Sequence, residues 1–191
     1  PQLGVEIRKV IAQQGDPVKA VLHYLERHPA GLMVLATHHH EDRVRWLHHS
    51  VAEPVARQAG QMTLFIPGGL TGFVSAETGT VSLEHILIPI AATPRPQPAI
   101  EAAARLAAGL KLPHGSFTIL HVGAVDTMPV VHCPEVPGWD WKKVIVPHGD
   151  VIVGIVETAS KMAAGLIVMA TDGRHGFLDA LRGSHSERVL R

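Results

Sequence analysis

A stretch near the carboxyl end of the sequence has the composition of a loop that could hold a phosphate group. Gly173, Gly183 and Ser184 lie between a predicted strand and a predicted helix, and Arg174 adds a positive charge. The N-terminus of a helix presents unpaired N–H groups and the positive end of a dipole, and glycine lets an anion approach the backbone closely. These residue types therefore predict a phosphate-binding loop.

The same residues also fit a purely structural role. Gly173 and Gly176 would then serve a tight turn, and Ser184 would begin the last helix in a capping box with Glu187. Both roles use the same residue types, so the sequence leaves the two interpretations open.

The histidines suggest a second kind of site. Imidazole is a common metal ligand, and several of the 14 histidines could converge if a loop and a helix fold together. Against this, adjacent residues point in different directions, no cysteine is close, and Glu41 and Asp42 are the only nearby carboxylates. Surface histidines without a ligand are the alternative. The candidates are His38, His39, His40, His48 and His49.

No set of catalytic residues can be recognised. Cys133 stands beside His132 but lacks a charged base motif, so a catalytic thiol is not expected. His121 lies in an apolar segment and is expected to be a histidine of the core or of a strand end. A Ser-His-Asp order, paired carboxylates and a metalloprotease helix are all lacking. The sequence therefore demonstrates no enzyme chemistry.

The composition describes an ordinary soluble globular protein. Hydrophobic residues make up 46% and charged residues 18%, and Lys+Arg equals Asp+Glu at 17 each. A neutral balance gives no electrostatic reason to expect a nucleic acid or an anionic membrane as partner. A single cysteine excludes an internal disulfide, and no apolar run reaches the roughly 18 to 20 residues that span a bilayer. We expect a cytoplasmic protein.

The elements that must position these residues are duplicated. An offset of 134 positions, without gaps, gives 16 identities in the 50 positions from Arg8 to Arg57, more than chance would give. The chain is therefore expected to hold two copies of one unit. The identities include Lys9–Ile11 with Lys143–Ile145, Gly15–Asp16 with Gly149–Asp150, Ala30–Leu32 with Ala164–Leu166, and Ala36–Thr37 with Ala170–Thr171.

Both copies predict the same order of elements. A short apolar strand, Val10–Ala12 or Val144–Val146, comes first and is followed by Gly-Asp and a helix. Asp16 and Asp150 are placed to cap these helices, and Pro17 suits the first helical turn. Apolar spacing of helical period supports both helices.

Continuous apolar runs follow these helices, as is typical of parallel strands covered on both faces. Alternating strands and helices predict right-handed crossovers and an α/β fold with an open parallel sheet. The further predicted strands are Leu32–Leu35, Met62–Ile66, Ile86–Ile90, Phe117–Val122 and Leu166–Met169, with a helix from about Ile100 to Leu110. The proline-containing segment Gly123–Asp140 is predicted to be a surface excursion without a helix.

The order and spacing of these motifs resemble the universal stress protein family. That family carries Gly-x2-Gly-x9-Gly-Ser/Thr after its fourth strand, and here Ala170, Gly173, Gly183 and Ser184 keep the spacing. The resemblance covers residues 83 to 191 directly and residues 8 to 66 through the repeat. It implies an adenine-nucleotide-hydrolase-like sheet with strand order 3-2-1-4-5 and helices on both faces.

The resemblance also implies a ligand. It suggests ATP or another adenine nucleotide, with Mg, or a related small phosphorylated ligand, and a homodimer or an intramolecular pairing of the two units. The implied contact residues are Ile90, Thr171, Gly173, Arg174, Gly183 and Ser184. Two departures weaken the expectation, because Ala170 replaces the first glycine and Ala91 stands where nucleotide-binding members have an aspartate.

The first copy departs further. His39 and His49 stand where the family has glycines, and a side chain there opposes close contact with phosphate. We therefore expect residues 1–67 to be a structural unit holding only the second half of the fold, 68–82 to be a linker or hairpin-like connection, and 83–191 to be a second unit that lacks its last strand. The missing strands would come from about fifty residues before Pro1 and about ten after Arg191, or from a partner chain.

Three functions follow from the sequence. The leading expectation is a stress-response binding module whose second unit holds an adenine nucleotide. The first alternative is an interaction protein with vestigial clefts that acts through dimerisation. The second is a weak ATPase, for which no catalytic base is visible.

Overall fold

The chain divides into two compact units, which are described separately. The computed structural model describes residues 6–11, 15–37, 51–67, 69, 72–75, 77–147 and 149–171. The first unit is Pro1–Gly68 and the second is Gly69–Arg191.

The described part of the first unit contains two helices and two parallel strands. Helix α1 is Pro17–Arg27, strand β1 is Met33–Thr37, helix α2 is Ala52–Ala59 and strand β2 is Thr63–Pro67. The strands pair in register from Met33 opposite Thr63 to Thr37 opposite Pro67. Among the described residues of this unit, the buried side chains come from β1 and α2: Met33, Ala52 and Val55.

The predicted strand Val10–Ala12 is wrong for the residues that the structure describes. Residues 6–11 form no strand, and Ile7, Val10 and Ile11 are exposed; Ala12 lies outside the described residues. In the second unit, the equivalent apolar segment is a strand because a neighbouring strand pairs along its whole length. The described part of the first unit gives residues 6–11 no such neighbour, and an apolar segment alone does not make a strand.

The second unit is an α/β structure with a parallel sheet. Its elements are β3 His85–Ile90, α3 Gln97–Gly109, β4 Gly115–Val122, β5 Trp139–Val146, α4 Val151–Lys161 and β6 Leu166–Ile167. The four strands lie in the order β5-β4-β3-β6, and every neighbouring pair is parallel. A fifth strand is not among the described residues, so the five-strand order stays a prediction.

Helices cover both faces of this sheet. Ile86, Ile88 and Ile90 pack with the small side chains of α3, whereas Leu87 packs on the opposite face with Ile155 of α4. Successive side chains of a strand point to opposite faces, so a strand covered on both faces must be apolar at every position. This explains why the sequence of β3 is continuously apolar after His85.

Strand β5 begins earlier than the sequence predicted. It starts at Trp139 because residues 139–146 pair in register with the whole of β4. Phe117 of β4 lies between two tryptophan rings of β5, with centroid distances of 4.6 Å to Trp139 and 4.2 Å to Trp141. These aromatic contacts across the strands add to the backbone pairing.

The segment between β4 and β5, which was predicted to be a surface excursion, packs in part against the core. It contains a 3-10 helix, Val125–Thr127, and Val136 is buried in the core on the α3 side. The indole of Trp141 donates a hydrogen bond to the Pro134 carbonyl at 2.8 Å. The predicted surface excursion is therefore anchored to the core at its second half.

The two Gly-Asp segments adopt the same local structure. Gly15 and Gly149 have positive φ angles of 114° and 128°, and Asp16 and Asp150 each accept hydrogen bonds from the backbone two and three residues ahead. Both caps are confirmed, and the two helices coincide at the 134-residue offset. The tandem arrangement of whole units stays a prediction.

The region predicted as a linker contains a small hairpin. Val74 and Val81 form an antiparallel bridge, and Phe73 and Val81 pack against the core of the second unit. Within the described residues, no helix is both long and apolar enough to cross a membrane.

Candidate functional site

The carboxyl edge of the second sheet contains a point where the chain connections diverge. Strand β3 lies between β4 and β6, so the connection through α3 leads to one side and β6 lies on the other. Helices α3 and α4 cover opposite faces at this point. In open α/β sheets, this divergence leaves a crevice at the carboxyl ends of the strands, where ligands bind. The crevice is therefore the candidate site.

On one side of the crevice lie the residues that follow β6. The Val168 N–H donates to the Leu87 carbonyl at 2.9 Å, which continues the pairing one residue beyond the strand. The Ala170 side chain packs against the core on the α3 side, and Thr171 is exposed. The alanine that replaces the family's glycine at this position therefore has its side chain in contact with the core.

On the other side lies the end of β3. The Ile90 side chain is 6% exposed and belongs to the core, and its carbonyl accepts a hydrogen bond from Nδ1 of His121 at 3.2 Å. Ala91, the next residue, is exposed. A ligand could therefore reach the Ile90 backbone, while the Ile90 side chain is buried in the core.

His121 joins the ends of two strands to the turn that follows. Its ring is buried at the end of β4, and Nε2 lies 2.9 Å from the Thr127 hydroxyl. The Thr127 hydroxyl in turn donates to the Ala124 carbonyl at 2.8 Å. The sequence predicted a core or strand-end histidine, which is confirmed, but it did not predict these contacts.

The match to a protein family falls on this part of the chain. Residues 135–191 match the universal stress protein family. The matched segment includes β5, α4, β6 and the predicted phosphate loop, and it suggests a stress-response protein. No curated protein and no solved structure gives a significant match to the chain.

Most of the contact residues implied by the family resemblance lie outside the part of the chain that the structure describes. Ile90 and Thr171 are described: Ile90 ends β3, and Thr171 lies four residues after the end of β6, on the other side of the crevice. Gly173, Arg174, Gly183 and Ser184 lie outside the described residues, as do the metal candidates His38, His39, His40, His48 and His49. Among the described residues, no group of three or more His, Cys, Asp or Glu could hold a metal ion.

Cys133 lies in the segment between β4 and β5, where it packs against the core on the α3 side. It is half-buried, and burial raises the pKa of its thiol, while the nearby Lys143 ammonium lowers it to a smaller extent. A raised pKa keeps the thiol protonated and weakly nucleophilic near neutral pH.

Gln97 is a residue near the crevice that sequence reasoning missed. It is the first residue of α3, and its side chain binds the backbone of His132 in the segment after β4. A polar residue at the start of a helix is common, so the sequence carried no specific signal for this contact.

Proposed function

We propose that the second unit binds an adenine nucleotide, or a related small phosphorylated ligand, at the carboxyl edge between β3 and β6. The observation that carries this proposal is the position of β3 between β4 and β6, because the chain connections diverge there and such a point in an open α/β sheet favours a ligand crevice. In a cell, the bound ligand would report or buffer metabolic stress.

Each proposed contact has a distinct chemical task. The backbone of Gly173 and Gly183 would donate N–H groups to phosphate oxygens, and the Ser184 hydroxyl would add one more donor. Arg174 would supply a positive charge. Mg²⁺ would enter with the phosphates, since this ion is usually held by substrate phosphates and few protein ligands. These roles agree with a loop that starts at the exposed Thr171.

The nucleoside end of the ligand would lie near the end of β3. The exposed position of Ala91 leaves space beside the Ile90 backbone. Alanine offers no carboxylate for a ribose hydroxyl or a metal ion, so the phosphate contacts would supply most of the affinity. We therefore expect binding to be weaker than in relatives with an aspartate at this position.

Thermal unfolding with ATP and Mg²⁺ tests this proposal. A ligand that binds only the native state stabilises it, by about 2.7 kcal/mol at a hundred times its Kd. We expect a concentration-dependent rise in Tm for the wild type and no rise for Gly183→Val. Gly31→Val is the matched control, because Gly31 has an ordinary φ and open space around it. Unchanged Tm values of both variants without ligand would show that their folds are intact.

The second candidate function is an interaction protein with an unoccupied crevice. The lack of a carboxylate at Ala91 favours it. In that case, millimolar ATP with Mg²⁺ would leave the Tm of the wild type unchanged, and sedimentation velocity would reveal a stable dimer.

A further inference from the structure

The hydrogen bonds around His121 cannot all form with a neutral ring. Nδ1 lies 3.2 Å from the Ile90 carbonyl, which only accepts, so Nδ1 must carry a proton. Nε2 lies 2.9 Å from the Thr127 hydroxyl, which is 2.8 Å from the Ala124 carbonyl. A hydroxyl donates a single proton. If that proton goes to Ala124, Nε2 must be a donor as well, and the ring is an imidazolium ion.

A neutral ring forces a choice on Thr127. With a proton on Nδ1 alone, Nε2 accepts, and the Thr127 hydroxyl must then donate either to Nε2 or to the Ala124 carbonyl. Because the hydroxyl has one proton, only one of these two hydrogen bonds can form. The Ala124 carbonyl also accepts the Thr127 N–H at 3.1 Å, so the hydroxyl bond reinforces the 3-10 helix Val125–Thr127 directly.

We propose that His121, Thr127 and Ala124 form a proton-controlled latch at the carboxyl edge of the second sheet. With the ring protonated, three hydrogen bonds hold the end of β3, the end of β4 and the following turn together. When the ring loses its proton, the Thr127 hydroxyl rotates toward Nε2 and leaves the Ala124 carbonyl. The latch concerns the protein without ligand and does not rest on the proposed nucleotide binding.

The charged groups around the His121 ring leave the ring's own proton as the control of the latch. Strand β3 has no charged residue at this end, and Ile145 of β5 lies opposite His121 in the sheet. The elements around this edge carry Arg95 between β3 and α3, Asp126 on the turn, Lys143 on β5 and the Glu101 and Arg105 pair on α3, and all of these side chains are exposed. Within the described residues, the ion pairs do not include His121.

Nuclear magnetic resonance of the full chain tests the latch. Ring ¹⁵N signals of His121, identified by their loss in His121→Gln, would be followed from pH 5 to 9 together with the carbonyl ¹³C shift of Ala124. We expect both to change with one midpoint in the wild type and in Thr127→Ser, which keeps the hydroxyl. In Thr127→Val, which removes the hydroxyl, the Ala124 shift should stay constant while the ring signals change.

Three outcomes would overturn the latch. The ring could keep one protonation state throughout this pH range, the Ala124 shift could remain constant in the wild type while the ring signals change, or the Ala124 shift could change in Thr127→Val as it does in the wild type. Both Thr127 variants keep the His121 ring and the Ile90 carbonyl, so the contact between them serves as the internal reference.

Discussion

The side-chain amide of Gln97 forms two hydrogen bonds with the backbone of a single residue, His132. Gln97 Oε1 accepts from the His132 N–H at 3.0 Å, and Gln97 Nε2 donates to the His132 carbonyl at 3.0 Å. This two-way pairing satisfies a donor and an acceptor of a segment that has no strand partner. It also ties the segment after β4 to the first turn of α3, beside the candidate crevice.

Replacing Gln97 by alanine should therefore destabilise the second unit. The variant loses both bonds to His132 and a third, exposed bond from Nε2 to the Glu101 carboxylate at 3.3 Å. We expect the free energy of unfolding, measured by urea denaturation, to fall by about 1–3 kcal/mol. Arg105→Ala on the same helix is the control, because its ion pair with Glu101 is exposed and worth about 1 kcal/mol at most. A change for Gln97→Ala no larger than that of the control would contradict the role of the pairing.

Gly138 should tolerate no side chain. It has a φ of 77°, and an added Cβ would overlap the Pro113 carbonyl. Gly79 has a similar φ of 71° with open space around it, so Gly79→Ala should cost only the backbone strain of about 1–2 kcal/mol. Gly138→Ala should cost about 1–3 kcal/mol more, from the steric overlap. If Gly138→Ala and Gly79→Ala lost equal stability in thermal unfolding, the structure around residue 138 would have shifted to remove the overlap.

The caps of α1 and α4 offer a paired test of the repeated Gly-Asp segment. The Asp16 carboxylate accepts from the Val18 N–H at 2.8 Å, and the Asp150 carboxylate accepts from the Ile152 N–H at 2.8 Å. Each Asp→Ala variant should lose about 1 kcal/mol of stability, with faster amide exchange in the first turn of that helix. Each Asp→Asn variant keeps an acceptor and should retain most of the protection; equal loss in both variants would argue against capping.

Cys133 should react slowly with iodoacetamide near neutral pH. Burial raises the pKa of its thiol, so less thiolate is present at a given pH, and the rate should keep rising at pH values where a free cysteine has levelled off. Lys143→Ala removes a charge that lowers this pKa and should slow the reaction further, whereas Lys143→Arg should not. Because Cys133 is the single cysteine, the fraction of alkylated protein can be measured from the intact mass. Reaction as fast as that of a free cysteine at pH 7.5 would contradict this prediction.

The sequence by itself predicted the features that arise from neighbouring residues. The caps at Asp16 and Asp150 depend on backbone groups two and three positions away. The strand His85–Ile90 was predicted almost to its bounds, because an apolar run covered on both faces leaves a continuous signal. The parallel α/β character of the second unit followed from the alternation of such elements.

Only the tertiary structure decided the features that depend on distant partners. Val10 and Ile11 are as apolar as Val144 and Ile145, yet only the latter pair lies in a strand, because β4 is beside it. The contact of His121 with Ile90 joins residues 31 positions apart, and that of Gln97 with His132 joins residues 35 positions apart. A backbone or side-chain group acquires such a partner only when the sheet brings the two segments together. A local sequence pattern cannot predict contacts between residues so far apart in the chain.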